Sequence, residues 1–328
     1  MVQKSYTRSN DMLHVAIAQI APVWLNRNQT IEKVTGYIET AAHEDCRLVV
    51  FGEALIPGYP FWIEKTDGAR FNSPIQKEIY AFYMNQAVQI EAGQLDPILE
   101  CAASHQIRVV LGIVERPKDR GGHSLYCSLV TIDEKGNLLS VHRKLMPTYE
   151  ERLAWAQGDG HGLKTHSLGL FTMGALNCWE NWMPLPRAAL YAQGEDLHIA
   201  AWPGSESLTT DITRFIARES RSYVISASGL MRKSDISEPV PYSERIRANA
   251  PDILANGGSC IAKPDGEWLV EPCINEEQMI VAHLDHCLVR KERQNFDAAG
   301  HYSRPDILKI ELNNTRQSTL KLVNRDRI

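Results

Sequence analysis

The tightest constraint on this chain is the way short apolar runs alternate with segments of helical periodicity. "LHVAIAQI" reads as a strand, "TIEKVTGYIETAAHE" as an amphipathic helix, and "RLVVFGEALI" as a second, mostly apolar strand. "LDPILECAASHQ" and "IRVVLGIVE" repeat helix and strand. Two hairpins interrupt the pattern: "LYCSLVTIDEKGNLLSVHRKLM" turns at Asp-Glu-Lys-Gly-Asn, and "GGSCIAKPDGEWLVEPC" turns at Pro-Asp-Gly. Beyond "LFTMGALNC" come a helix in "LPRAALYAQ" stopped by Gly194, the strand "DLHIAAWP", and a helix in "TTDITRFIARESR" capped by Thr or Asp. "SYVISASG" and "MIVAHLDH" are further strands. Strand-helix units and hairpins together require mixed sheets. Roughly ten or more strand candidates exceed one open sheet, so the fold class is α/β with two layers of sheet faced by helices.

The 328 residues contain no fixed-period repeat and no low-complexity linker, which favours a single domain over 1–328. With 44% apolar and 23% charged residues the chain can build a sizeable core. A net charge of −5 gives no basic field for phosphates, which argues against nucleic acid as a partner. The opening "MVQKSYTRSNDML" lacks a secretory core and no run is long enough to span a membrane, so a cytoplasmic protein is expected. The seven cysteines are odd in number and form no C-x-x-C pair, as reduced thiols would. The polar "LNNTRQSTLKLVNRDRI" at the end reads as a tail or an oligomer contact.

Ligand sites of open α/β folds gather at the carboxyl ends of strands. Three reactive side chains stand at such ends: Glu53 after "RLVVFG", Lys144 after "LLSVHR" and Cys178 after "TMGALN". Each alone has a plain reading as a packed thiol, a solvated lysine or a paired carboxylate. Together they make chemical sense. A thiol is only a few per cent ionised at neutral pH and needs a base, a cation, or both. Glu53 suits the base and Lys144 the cation.

"FGEALIPGYP" around Glu53, "HRKLMPTYEERLAWAQGDG" around Lys144 and "NCWENWMPLPR" around Cys178 resemble the nitrilase superfamily, and closely its true nitrilase branch. "VAIAQIAPVWLNRNQTIEKV", "DITRFIARESRSYVISASG" and "NGGSCIAKPDGEWL" extend the likeness over about residues 12 to 290, leaving 291–328 as a less distinctive remainder. The resemblance implies a four-layer α-β-β-α sandwich and a Glu-Lys-Cys triad in this order. It implies a supporting glutamate that aligns with Glu151, next to Glu150, and a role for the backbone N–H of Trp179 against developing negative charge. It also implies a nitrile and water as substrates, no metal or organic cofactor, and a homo-oligomer built from paired subunits, a dimer or a longer spiral. Tyr59, Phe61 and Trp62, in the aromatic loop after Glu53, are candidates to wall the substrate pocket, with subunit packing as the alternative.

Rival readings are weaker. "VAHLDHCL" offers His283, His286 and Cys287, but on a strand positions 283 and 286 face opposite ways and hold no common metal. No C-G-S-C-W element surrounds Cys178, and no strand-G-x-G-x-x-G-helix unit is present. "VRKERQ" reads as a solvated face. An amidase or carbamoyl-amide hydrolase using the same triad is the nearest alternative, and a non-catalytic assembly member the next.

Overall fold

The computed structural model describes residues 11–320. Most of the opening segment and the end of the C-terminal stretch read above lie outside the described residues. The strands are β1 (Met12–Gln19), β2 (Leu48–Phe51), β3 (Arg108–Glu115), β4 (Tyr126–Ile132), β5 (Leu138–Arg143), β6 (His166–Leu168), β7 (Phe171–Asn177), β8 (Leu197–Trp202), β9 (Tyr223–Ser228), β10 (Leu230–Arg232), β11 (Ile253–Ala262), β12 (Trp268–Ile274) and β13 (Gln278–Asp285). The helices are α1 (Arg27–His43), α2 (Trp62–Lys65), α3 (Pro74–Gln86), α4 (Asp96–His105), α5 (Pro184–Tyr191), α6 (Glu206–Ser220), α7 (Ser243–Asn249) and α8 (His286–Arg293).

Both sheets are mixed. The first runs β13-β1-β2-β3-β4-β5, parallel only across β1-β2-β3; the second runs β10-β11-β9-β8-β7-β6, parallel only across β9-β8-β7, with β12 paired to β11. Period-two alternation divides the apolar residues of each strand between two cores. From β1, Leu13, Val15 and Ile17 meet Met173, Leu197, Ile199 and Ile225 of the other sheet, while Ala16 and Ala18 face Val34 and Ile38 of α1. On the far side Ala200, Trp202 and Val224 pack on Ile212 and Ile216 of α6. Helix, sheet, sheet and helix therefore stack in four layers.

Several expected boundaries move. β2 stops at Phe51, where "RLVVFGEALI" reads as one strand, because the chain there leaves the sheet to meet β8. α6 begins at Glu206 with Ser205 as its preceding residue, a turn before the Thr and Asp expected as caps. Thr209 instead turns inward, its hydroxyl bonding the Gly258 carbonyl, and Thr213, one turn further on, bonds the Ser226 hydroxyl. The strand read through His286 ends at Asp285, whose carboxylate accepts from the Cys287 N–H and caps α8. His283 stays on β13 against the ring of His14, and both ring nitrogens of His286 are engaged, by Asp196 and by Arg290. "VRKERQ" lies largely on α8 and is only partly a free face: Arg290 pairs with Asp11, and Arg293 binds the Glu195 carbonyl and the Ser222 hydroxyl.

The stretch after α8 crosses back over the body. Arg316 pairs with Asp159 at 3.0 Å and donates to the Val141 carbonyl, and Gln317 N–H donates to Asp159.

Candidate active site

Glu53 is set where the two sheets touch. Its N–H donates to the Trp202 carbonyl at the end of β8 (3.0 Å). This approach needs glycine: a Cβ on Gly52 would sit 2.9 Å from the Trp202 carbonyl oxygen and 3.0 Å from the Gly229 nitrogen. The Glu53 side chain is buried, with Oε1 accepting from Lys144 Nζ (2.8 Å) and from the Cys127 thiol (3.4 Å). Oε2 has no hydrogen-bond partner among the described residues.

Lys144 follows the last residue of β5. Its N–H donates to the Cys127 carbonyl (2.8 Å) and its carbonyl accepts from Gly158 N–H (2.8 Å), so both neighbours hold the backbone. Nζ lies between two carboxylates, 2.8 Å from Glu53 Oε1 and 2.7 Å from Glu151 Oε2. Glu151 rather than Glu150 reaches it for a local reason. Thr148 and Glu151 form a capping box on the short 3-10 helix Tyr149–Leu153, in which the Glu151 carboxylate folds back onto the Thr148 N–H (2.6 Å) and thereby points inward. Tyr59 donates to both glutamates, at 3.0 Å to Glu151 and 3.2 Å to Glu150.

Cys178 opens the 3-10 helix Cys178–Trp182 directly after β7, with φ of 44°. A non-glycine residue seldom adopts that conformation unless its surroundings impose it. Two buried networks do so. Glu180 caps back onto the Asn177 N–H (2.9 Å) while accepting from Leu145 N–H (2.6 Å) and bonding His142 Nε2 (3.0 Å), which ties the cysteine turn to the lysine strand. Asn181 donates to the Cys178 carbonyl (2.8 Å) and is held through His198 Nε2 (2.8 Å) and Glu195 (2.9 Å).

The electrostatics follow from burial around one cation. Burial pushes the Glu53 carboxyl up to about 7, although the Lys144 ammonium draws it down. Burial opposes the charge on Lys144, yet Glu53 and the other anionic neighbours outweigh it and hold the ammonium well above its ordinary range. Burial drives the Cys178 thiol up, Lys144 draws it back, and Glu53 and Glu151 raise it again, so it rests protonated. The Trp179 N–H points at the sulfur and favours its anion. Tyr59 is also kept protonated, by burial and then by Glu151.

Single ligand atoms from Glu53, Glu151 and Cys178 lie within 4.8 Å of one another, close enough for a metal. The Lys144 ammonium already stands between the two carboxylates, so the cation of this site is the lysine. A second grouping, Glu39, Cys101 and His105, lies on the outer helices α1 and α4.

Of the aromatic candidates, Tyr59 joins the site through its hydroxyl and Phe61 packs against the Tyr59 ring (4.8 Å between centroids). Trp62 is buried against Tyr83 and lines a separate cleft of about 280 Å³ with Phe71, Gln76, Tyr80 and Leu153. Sequence reasoning missed Cys127, Glu180 and the Asn181-His198-Glu195 chain. One signal was available: N-C-W-E matches the spacing of a capping box with Asn at its head. Cys127 comes to Lys144 only because a register shift between Thr131 and Ile132 pairs Arg143 with Ser128, which counting back across the hairpin turn does not foresee. The His198 chain joins β8 to the cysteine turn and has no local signature.

The carbon-nitrogen hydrolase family model matches residues 14–294. "Nitrilase 2" of an unknown prokaryotic organism is 34% identical over 313 residues, covering 95% of each chain. An arylacetonitrilase of Aspergillus niger is 33% identical over 323 residues, covering 94% of this chain and 90% of the relative. Among solved structures, the carbon-nitrogen hydrolase of Helicobacter pylori G27 superposes with a TM-score of 0.68 at 18% identity, over 91% of this chain and 97% of that one, a likeness of fold.

Proposed function

Because the chain belongs to the carbon-nitrogen hydrolase family and to its nitrilase branch, we propose that it hydrolyses an organic nitrile to the carboxylic acid and ammonia at Cys178. The observation that carries this reading is a buried thiol grouped with Glu53 and Glu151 around one lysine, in a chain alike over nearly its whole length to proteins named nitrilase and arylacetonitrilase.

Glu53 takes the proton of Cys178 through its unpartnered Oε2 as sulfur attacks the nitrile carbon. The new C–S bond consumes one π bond of C≡N, and the nitrogen takes the thiol proton from Glu53 to give a thioimidate, which leaves Glu53 ionised again. Lys144 and the Trp179 N–H stand where charge develops on that nitrogen. Water, deprotonated by Glu53, adds to the thioimidate carbon; the tetrahedral species loses ammonia and leaves a thioester. A second water releases the acid and restores the thiol. Expulsion of the thiol from the first tetrahedral species yields the amide as a by-product. Glu151, fixed by its cap and by Tyr59, holds Lys144.

Ammonia release from a panel of aliphatic, aromatic and arylacetic nitriles, with the matching amides alongside, tests the reading. Turnover of nitriles that disappears in Cys178→Ala is expected; release from amides alone would assign the triad to an amidase. The base must be ionised to act, so kcat/KM should fall as pH drops through about 7 instead of the ordinary carboxylate range.

The chain also reads as a cytosolic homo-oligomer. Its seven unpaired cysteines suit a reducing compartment. Trp179, Trp182, Leu185 and Phe215 expose an apolar face of the kind subunits bury. Light scattering of the purified protein should give a mass that is a multiple of 36.9 kDa, and a monomer at working concentrations would overturn the oligomer.

A further inference from the structure

We propose that Cys127 is a second working thiol of this site, a hydrogen-bond donor that fixes Oε1 of the base Glu53 and lowers its basicity. The inference rests on Glu53 acting as the base.

Cys127 is on β4, and its sulfur lies 3.4 Å from Glu53 Oε1 with both groups shut away from solvent. A cysteine that merely fills space touches carbon, whereas this one touches a carboxylate that has no water to turn to. The thiol is held neutral, by burial first and by the Glu53 charge next, so it keeps its proton and donates throughout the working range. With Lys144 Nζ and the Cys127 S–H both on Oε1, the free oxygen Oε2 is the one left to receive a proton.

The groups facing Glu53 set what this bond does. Lys144 favours the carboxylate, Glu151 disfavours it, and the neutral Cys178 and Tyr59 complete the surroundings. Burial places Glu53 near neutrality, and a donor to the charged form pulls it back. Without the Cys127 donor, Glu53 would be protonated over more of the neutral range and idle as a base.

Two variants separate this role from packing. Cys127→Val removes the donor and adds one methyl group; Cys127→Ser keeps a donor that is stronger toward a carboxylate. The measurement is the acid limb of kcat/KM against pH for a nitrile that the parent turns over, with Glu53→Gln alongside. The expected result is a midpoint displaced upward by roughly half to one pH unit in Cys127→Val, and downward in Cys127→Ser. A side chain that only packed would lower the rate or the melting temperature and leave the midpoint in place.

A folded Cys127→Val with the parental midpoint overturns the proposal. If that variant does not fold, Cys127→Ser decides: a lower midpoint supports the donor and an unmoved one removes it. Glu53→Gln keeps the two readings apart. If it retains turnover with the parental acid limb, the assignment of Glu53 as base has failed. If it is inactive while Cys127→Val is unshifted, only the role of Cys127 has failed.

Discussion

Exchanging Lys144 for methionine will abolish ammonia release and lower the unfolding free energy at neutral pH by about 3–5 kcal/mol. Methionine has similar length and leaves little cavity, so the loss comes from charge. Lys144 Nζ contacts Glu53 and Glu151 at 2.8 and 2.7 Å inside the protein, and without it two carboxylates face each other with no cation between them. Burial already raises Glu53 to about 7, and removal of the ammonium raises it further. The sign of the pH dependence follows. Below the ordinary carboxylate range Glu53 is protonated in both folded and unfolded chains, so the deficit is smallest in acid. Between that range and about 7 the folded parent resists ionisation as well, so the deficit grows chiefly as pH rises through about 7, where the parent ionises Glu53 beside Lys144 and the variant does not. Urea unfolding across this range measures the effect; parental stability at neutral pH would show that the cation does not hold the cluster together. In the mechanism proposed for Cys178, turnover is lost for a separate reason, since the charge developing on the substrate nitrogen loses its stabiliser.

Glu180→Ala is expected to lower kcat about 100-fold, without contact between Glu180 and substrate. Its carboxylate accepts from the residue before Cys178 and from the residue after Lys144, and it engages the buried His142. Burial alone would raise this carboxyl, yet His142 and the N–H groups of Leu145 and Asn177 outweigh it and hold the group below its ordinary range. The stability it contributes is therefore present above that range and is lost as pH falls through the lowered value. Alanine leaves two N–H groups and an imidazole without their acceptor, at a cost of about 2–4 kcal/mol. Glu180→Gln keeps one acceptor oxygen and should fall between parent and Ala. Steady-state kinetics and thermal unfolding test both variants. A parental kcat in a folded Glu180→Ala would mean that the strained turn at Cys178 is held by the Asn181-His198-Glu195 chain alone.

Local sequence reading works best where one element explains itself. The strand-helix alternation, the hairpin turns and the three reactive groups at strand ends all rest on spacings of a few residues. The capping boxes at Thr148–Glu151 and Asn177–Glu180 are equally local, and the first explains why Glu151 and not its neighbour turns inward. Boundaries that shifted did so under tertiary pressure. β2 is cut short where Gly52 lets the chain come against Trp202 at the end of β8, and α6 begins at Glu206 while Thr209 turns inward toward β11 instead of capping.

Sequence by itself therefore determined the mixed-sheet α/β pattern and the strand ends at which Glu53, Lys144 and Cys178 stand, because periodicity and turn chemistry act over short stretches of chain. Tertiary structure alone decided that Glu53 and Glu151 share one lysine beside Cys178 and that Cys127 touches Glu53. Those facts depend on how strand ends distant in sequence meet in a volume closed to water, and burial there raises the Glu53 carboxyl to about 7.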